Sequence, residues 1–369
     1  MKPIFHITLA FDPTPVGFVQ ISVLIIPRNN AFILDFCMVN TNNMKALVLN
    51  SFGTAPELLT VDTPVPQAGQ VLIKVKGSGL NPLDVKIMAG EAKHAQTKLP
   101  AILGVDGSGI VEAVGEGVTS FKPGDEVYGM IGGVGGNQGT QAEYLAADAR
   151  LLALKPKNLS FHEAAAVPLI FTTAWEGLVD HANVKKGQKV LIHGGAGGVG
   201  HIAVQIAKAR GAEVFATVRK PQFDLIKSYG ATPIDYTETK VEEYVKEYTG
   251  GEGFDVIFDN VGGQTLDDSF TAIRNYGHVV TIIGRGTHNL APLALRAGSY
   301  SGVFTLIPLI TGKNRAHHGD IMRQATELIE AGVVKPIVSP SVYSLATATD
   351  AYNEFKNSKE KGKVVIDIN

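Results

Sequence analysis

Apolar positions fall into two textures along this 369-residue chain. From Met44 to about Leu169 they come in short runs, at 44–49, 71–76, 107–115 and 124–129, which alternate or carry β-branched residues and are punctuated by Gly and Pro. That pattern predicts strands and turns of a compact β-barrel-like domain. From about Phe171 the runs of strand length alternate with stretches of helical spacing. Strands are predicted at 189–193, 213–218, 233–235, 254–259, 278–283 and 301–306, with helices beginning near Val199, Gln222, Val241 and Gln264. Alternation of this kind predicts an α/β domain, a parallel sheet with right-handed crossovers, and six strands complete a doubly wound Rossmann sheet. A helix at 320–331, a strand at 333–338, a helix at 346–357 and a strand at 362–368 are expected to return to the barrel.

Residues 1–43 differ in texture from the rest of the chain. Their apolar stretches, 16–27 and 31–39, are split by Pro27-Arg28-Asn29-Asn30 and fall short of the roughly 20 residues that span a bilayer. As a signal peptide the segment is poor, with Asp12 interrupting and no small-residue cleavage site. We expect the working domain to start near Met44 and the leader to be dispensable, either an upstream translation artefact or a loosely attached extension.

The sharpest chemistry lies at the start of the second texture. The strand-like run 189–193 leads into Gly194-Gly195-Ala196-Gly197-Gly198-Val199-Gly200, and then into a stretch that spaces Ile202, Ile206 and Ala209 like one helix face until Gly211. Gly195-x-Gly197-x-x-Gly200 between strand and helix permits a tight turn and close backbone approach, leaving helix-start N–H groups to face a pyrophosphate. Gly195, Gly197, Gly198, Val199 and Gly200 are therefore expected to bind a dinucleotide. An NAD site usually carries an acidic residue at the end of the next strand; here Arg219-Lys220 comes directly after 213–218, which suits the extra phosphate of NADPH. The competing reading of the pair is a solvated basic loop.

Composition narrows the rest. Lys plus Arg (33) nearly balances Asp plus Glu (35), so nucleic acid is not expected as a ligand, and no membrane association is expected. A single cysteine, Cys37, excludes an internal disulfide framework and a Cys-based metal cluster, and is consistent with a cytoplasmic location. His317-His318 is the tempting metal pair among ten histidines, but adjacent residues do not share a helix face.

The glycine segment, extended as Gly187-Gln188-x-x-Leu191-x-x-x-Gly195-Ala196-Gly197-Gly198-x-Gly200-x4-Gln205-x-x-Lys208, resembles the opening motif of zeta-crystallin-type quinone oxidoreductases. The stretch from Pro100 through Gly104-Val105-Asp106-Gly107 to Gly124-Asp125-Glu126-Val127 looks like the first-domain signature of the same superfamily, the medium-chain dehydrogenases/reductases. The resemblance covers 44–369. It implies a GroES-like β-barrel catalytic domain (44–170 and 309–369) joined to a Rossmann NADP-binding domain (171–308). Where zinc members place three metal ligands, this chain has Asn81, Val105 and Leu169-Ile170, so a zinc-free member is implied. Hydride transfer without a Lewis acid suits quinones and α,β-unsaturated carbonyls. The alternatives are a 2-enoyl thioester or enone reductase, and a non-catalytic NADPH-binding crystallin-like protein.

By the same resemblance Asn81, Asp84 and Lys86 are the catalytic candidates, with a proton relayed through Lys86 or Asp84. Lys86 departs from the Tyr that many relatives carry there, and Asn81 and Asp84 also read as a structural turn. Thr173 should lie near the nicotinamide ribose, Asn260 and Gly284 at the nicotinamide edge, and Tyr236 against the 2′-phosphate or simply packed. The apolar run 302–307 would be an exposed sheet edge in a monomer, which predicts a homodimer or a dimer of dimers.

Overall fold

The computed structural model describes residues 43–357 and 362–369 in full and the backbone of 5–11, 19–28 and 31–40. Those three leader segments form an antiparallel three-stranded sheet, Phe5–Phe11, Val19–Arg28 and Ala31–Asn40. Among the described residues no helix is long and apolar enough to cross a membrane.

The first body is built on Gln70–Gly79, where Val71, Ile73 and Val75 share one buried face. It pairs antiparallel with Asp106–Val114, Tyr144–Asp148 and the chain's last strand, Val365–Asp367. Asn43–Leu49 opens a smaller sheet with Glu57–Asp62 and Ala101–Ile102. Leu49, Ile73, Leu80, Leu103, Val105 and Leu145 fill the core between them, and Ile366 from the C-terminal strand joins it.

The second body is a six-stranded parallel sheet. Its strands are β1 (Lys189–His193), β2 (Glu213–Val218), β3 (Thr232–Asp235), β4 (Phe254–Asp259), β5 (Ile273–Thr281) and β6 (Ser299–Gly302). Their spatial order is β3-β2-β1-β4-β5-β6, the doubly wound arrangement with its switch point between β1 and β4. Buried apolar residues from both faces, Val190, Leu191 and Ile192 in β1, Val214 and Phe215 in β2, Val256 and Ile257 in β4, fill these strands because helices cover both sides of the sheet. The register places His193, Thr217, Asp259 and Thr281 in line, so the loops after β1, β2, β4 and β5 leave the sheet along one carboxyl edge.

Two expected strands differ from those formed. The edge strand is Ser299–Gly302 rather than 301–306; after it Val303 and Leu306 are buried as one wall of the cleft between the bodies, while Phe304 and Ile307 stay exposed. The run 333–338 is reduced to one parallel bridge, Val338 to Lys363, with the Lys363 N–H donating to the Ile337 carbonyl at 2.9 Å. Before that bridge, side chains of the first Rossmann helix hold the backbone: Gln205 bonds both the N–H (2.8 Å) and the carbonyl (3.1 Å) of Lys335, and the Ile337 N–H donates to His201 Nε2 at 3.1 Å. The sheet edge invoked for dimerisation is therefore the four residues of β6, flanked by exposed Tyr276 and Leu295, rather than 302–307.

Candidate active site

A cleft of about 980 Å³ runs between the two bodies, with room for a dinucleotide and a small acceptor. The glycine turn forms one stretch of its wall. β1 ends at His193, Gly194 turns in a left-handed conformation (φ 67°), and helix α1 (Gly198–Ala209) begins with Gly197 as its N-cap. A Cβ on Gly200 would stand 2.1 Å from the Gly194 carbonyl oxygen, and one on Gly195 would stand 2.6 Å from the Ala216 Cβ. Those two glycines let helix and strand pack closely. Gly198 is different, since outside its own helix and chain neighbours the nearest atom to its Cβ position is the Ile170 Cγ2, 3.7 Å away. Its missing side chain leaves space toward the cleft at the helix start, where unpaired N–H groups and the helix dipole favour an anion. Gly197, Gly198, Val199 and Gly200 line the cleft, whereas Gly195 lies behind it against β2.

The other loops of the same edge supply the remaining wall. Asn260 comes after β4, and its loop is set by Asp259, which accepts from the Val261 and Gly262 N–H groups and from the Thr281 hydroxyl at 2.7 Å. The Asn260 amide donates to the His193 carbonyl at 2.9 Å, while its Oδ1 is buried without a partner. An unpartnered buried acceptor on a cleft wall is costly unless a ligand donates to it. Gly284 after β5 and Thr173, whose hydroxyl donates to the Leu169 carbonyl, also line the cleft. Burial pushes His193 down to about 4, so the ring beside this site is neutral.

At the far side of β1, Tyr236 lines the cleft and Arg219 donates from Nε to its hydroxyl at 2.8 Å. Arg219 and Lys220 are exposed at the mouth rather than in the wall. The nearby carboxylate, Asp235, is turned onto Thr237, accepting from its N–H at 2.9 Å and its hydroxyl at 2.7 Å. Those bonds hold its carboxyl below the usual range.

The opposite end of the cleft is where the barrel contributes. Pro82 opens the helix Pro82–Met88 and Asp84, in its first turn, accepts from the Asn81 N–H at 2.8 Å and from the Gly104 N–H at 3.2 Å. Asn81 and Lys86 line the cleft; Asp84 does not, being fully buried behind Asn81. Its place in a proton relay is therefore not carried by the geometry, and its visible work is to fix the turn. Burial pushes its carboxyl up to about 7.

Sequence reasoning overlooked Lys363 as the partner of this end, and Asp106 with it. The Lys363 ammonium enters from the C-terminal segment, donates to the Leu80 carbonyl at 2.7 Å and to Asn81 Oδ1, and lies 3.5 Å from Asp106. Asp106 also accepts from Asn81 Nδ2 at 3.0 Å and from the Leu169 N–H at 2.8 Å. Burial raises the Asp106 carboxyl and lowers the Lys363 ammonium, each opposed by the charge of the other. Both ends of the Asn81 amide are thus already bonded. The only signals in the sequence were an Asp beside Val105 and a Lys at the head of an apolar strand, 282 positions from Asn81.

The donor set does not fit a catalytic zinc. Asn81 is consumed by Lys363 and Asp106, Val105 is buried and apolar, and among the described residues there is no group of three His, Cys, Asp or Glu able to hold a metal. His317 and His318 point to separate partners, Asp180 at 2.7 Å and Glu176 at 3.1 Å. A nicotinamide dinucleotide does fit, on the glycine cradle and the unpartnered Asn260 oxygen.

Comparison with known proteins agrees with this geometry. Residues 67–157 match the alcohol dehydrogenase GroES-like domain family, and residues 229–366 match a family described as zinc-binding dehydrogenase. The chain is 36% identical to the NADPH-dependent alkenal/one oxidoreductase, chloroplastic, of Arabidopsis thaliana, over 88% of this chain and 79% of that protein. It is 32% identical to the quinone oxidoreductase of Sus scrofa, over 88% and 97%. The crystal structure of an alcohol dehydrogenase superfamily protein from Novosphingobium aromaticivorans superposes with a TM-score of 0.86 at 48% identity, covering 88% of this chain and all of that one. With a GroES-like domain, a Rossmann sheet and a cleft between them that fits a nicotinamide dinucleotide, the chain belongs to the medium-chain dehydrogenase/reductase superfamily, in its quinone and enone reductase branch, and is an oxidoreductase.

Proposed function

We propose that this protein is an NADPH-dependent, zinc-independent reductase of electrophilic acceptors, quinones or α,β-unsaturated carbonyls. The observation that carries this reading is a continuous cleft that joins a dinucleotide-type glycine turn to a barrel end lacking, among the described residues, a set of metal donors. NADPH, when bound, supplies a hydride from its dihydronicotinamide. The chain's residues do the rest. Gly197, Gly198, Val199 and Gly200 present helix-start amides to the pyrophosphate. Thr173, Asn260 and Gly284 hold the nicotinamide end, with the free Asn260 oxygen as acceptor. Asn81, locked by Lys363 and Asp106, gives the electrophile a rigid wall. Leu83, Leu169, Ile283 and Leu306 keep that end apolar and exclude water. Lys86, facing the cleft, hands a proton to the reduced acceptor after the hydride has added, with solvent restoring it.

Coenzyme choice rests on Arg219, Lys220 and Tyr236. A 2′-phosphate at this corner accepts charge-assisted hydrogen bonds, each worth about 1.5–3 kcal/mol when well formed and less when exposed to salt. Arg219→Ala is therefore expected to lower kcat/KM for NADPH about tenfold and leave that for NADH unchanged. Equal loss with both coenzymes would show that Arg219 only props the loop through Tyr236.

In solution we expect a dimer formed by pairing β6 edges across a two-fold axis, which would also cover Tyr276 and Leu295. Light scattering at micromolar concentration checks this, and a monodisperse monomer would refute it. The single cysteine supports placing the protein in the reducing cytosol.

A further inference from the structure

Among the described residues, the acceptor end of the cleft carries an excess of positive charge: its wall includes Lys86, Arg285 and Lys363, and no Asp or Glu. Lys363 is buried and neutralised by Asp106. Lys86 and Arg285 are not neutralised: neither forms an ion pair with any described residue. Arg285 is tied to its neighbours through its backbone, where its carbonyl is bonded to His288. The two come from separate elements, the barrel helix Pro82–Met88 and the loop after β5, yet both act on one neighbour. His94, whose ring stands edge-on to Phe304 at 5.8 Å, has its imidazole pKa lowered first by partial burial and then by Arg285 and Lys86.

Strand order excludes the adenosine end as the reason for these charges. Arg219 and Tyr236 come after β2 and β3, on one side of β1, whereas Arg285 comes after β5 on the other. The helix-start amides at Gly197–Gly200 lie between.

We propose that Arg285, with the charge of Lys86 beside it and the His94–Phe304 shelf at its side, forms a subsite for an anionic group carried by the acceptor, a carboxylate or a phosphate remote from the electrophilic double bond that Lys86 protonates. This rests on the reductase reading above and names the acceptor class within it. Two cations with no ion-pair partner among the described residues, facing one cleft, raise the local concentration of anions, and the guanidinium offers a two-pronged fit to either oxyanion.

The test compares matched acceptors under steady-state conditions with NADPH. One pair is a linear enone ending in a remote carboxylate and its methyl ester. The other is crotonyl-coenzyme A and the same crotonyl group on neutral N-acetylcysteamine. The wild-type enzyme is expected to favour the charged member of at least one pair about tenfold in kcat/KM, chiefly through KM, and high salt should compress the ratio. Preference in the first pair alone identifies a carboxylate, in the second alone a phosphate. Arg285→Met should bring the ratio to about threefold or less while leaving turnover of the neutral acceptors and KM for NADPH unchanged, and Arg285→Lys should restore most of it. Equal use of charged and neutral members by the wild type would overturn the subsite while the reductase reading stood. So would an Arg285→Met variant that lost both members equally or raised KM for NADPH.

Discussion

Lys363→Met is expected to destabilise the protein by about 3–5 kcal/mol, the usual result of removing one partner from a buried ion pair. The substitution keeps the side-chain length but strands the Asp106 carboxylate, with Asp84 close behind it, in a site closed to water. It also removes the donor to Asn81 Oδ1 and to the Leu80 carbonyl, so the C-terminal segment loses one of its ties to the barrel while Val365–Asp367 stays paired with Gln70–Gly79. Chemical denaturation measures the shift. Asp106→Asn in the Lys363→Met background should recover a substantial part of the loss, because the uncompensated charge is then gone. A Lys363→Met protein with the wild-type midpoint would show that the network carries no stability.

The second large effect separates the roles of two glycines in one cradle. Gly200→Ala drives a Cβ to 2.1 Å from the backbone oxygen of Gly194, a contact that only backbone movement can relieve. It is expected to lower both thermal stability and coenzyme affinity, the latter by about a hundredfold as the turn opens. Gly198→Ala meets nothing closer than 3.7 Å in the protein and replaces Gly with a better helix former. It should fold with an unchanged or raised Tm and yet bind NADPH at least about tenfold more weakly, since the new methyl occupies space kept for the pyrophosphate. Isothermal titration beside a melting curve reads both quantities. Normal NADPH affinity in Gly198→Ala would place the pyrophosphate elsewhere.

The fold was legible where local signals agree. β1, β2 and β4 are apolar runs bounded by Gly or charged residues, and the helices after them start within a residue or two of their expected positions. Legibility failed where one composition serves two purposes. The run after Ser301 reads as a strand because a buried cleft wall needs the same Val, Phe and Leu as a sheet core. The run 333–338 reads as a strand because of its β-branched Val and Ile, but apart from the Val338–Lys363 bridge the side chains of Gln205 and His201 take the place of a ladder. The glycine cradle could be placed from its spacing alone. The polar end of the cleft could not, because its key contact joins Asn81 to Lys363 across most of the chain, and no periodicity reports such a pairing. Asp84 was visible as a carboxylate near the site, but burial, which moved it from the cleft to the support of the turn, is a tertiary property.

Hydride transfer from NADPH to an electrophilic acceptor without a metal is open to one experiment: NADPH oxidation is followed with a quinone, an enone and a saturated ketone, before and after exhaustive chelation, with the metal content of the same samples determined. Turnover of the quinone or the enone is expected, with none of the ketone, NADPH favoured over NADH, substoichiometric zinc and rates unchanged by chelation. Stoichiometric zinc lost together with activity, or NADPH left unoxidised by both the quinone and the enone, would contradict it.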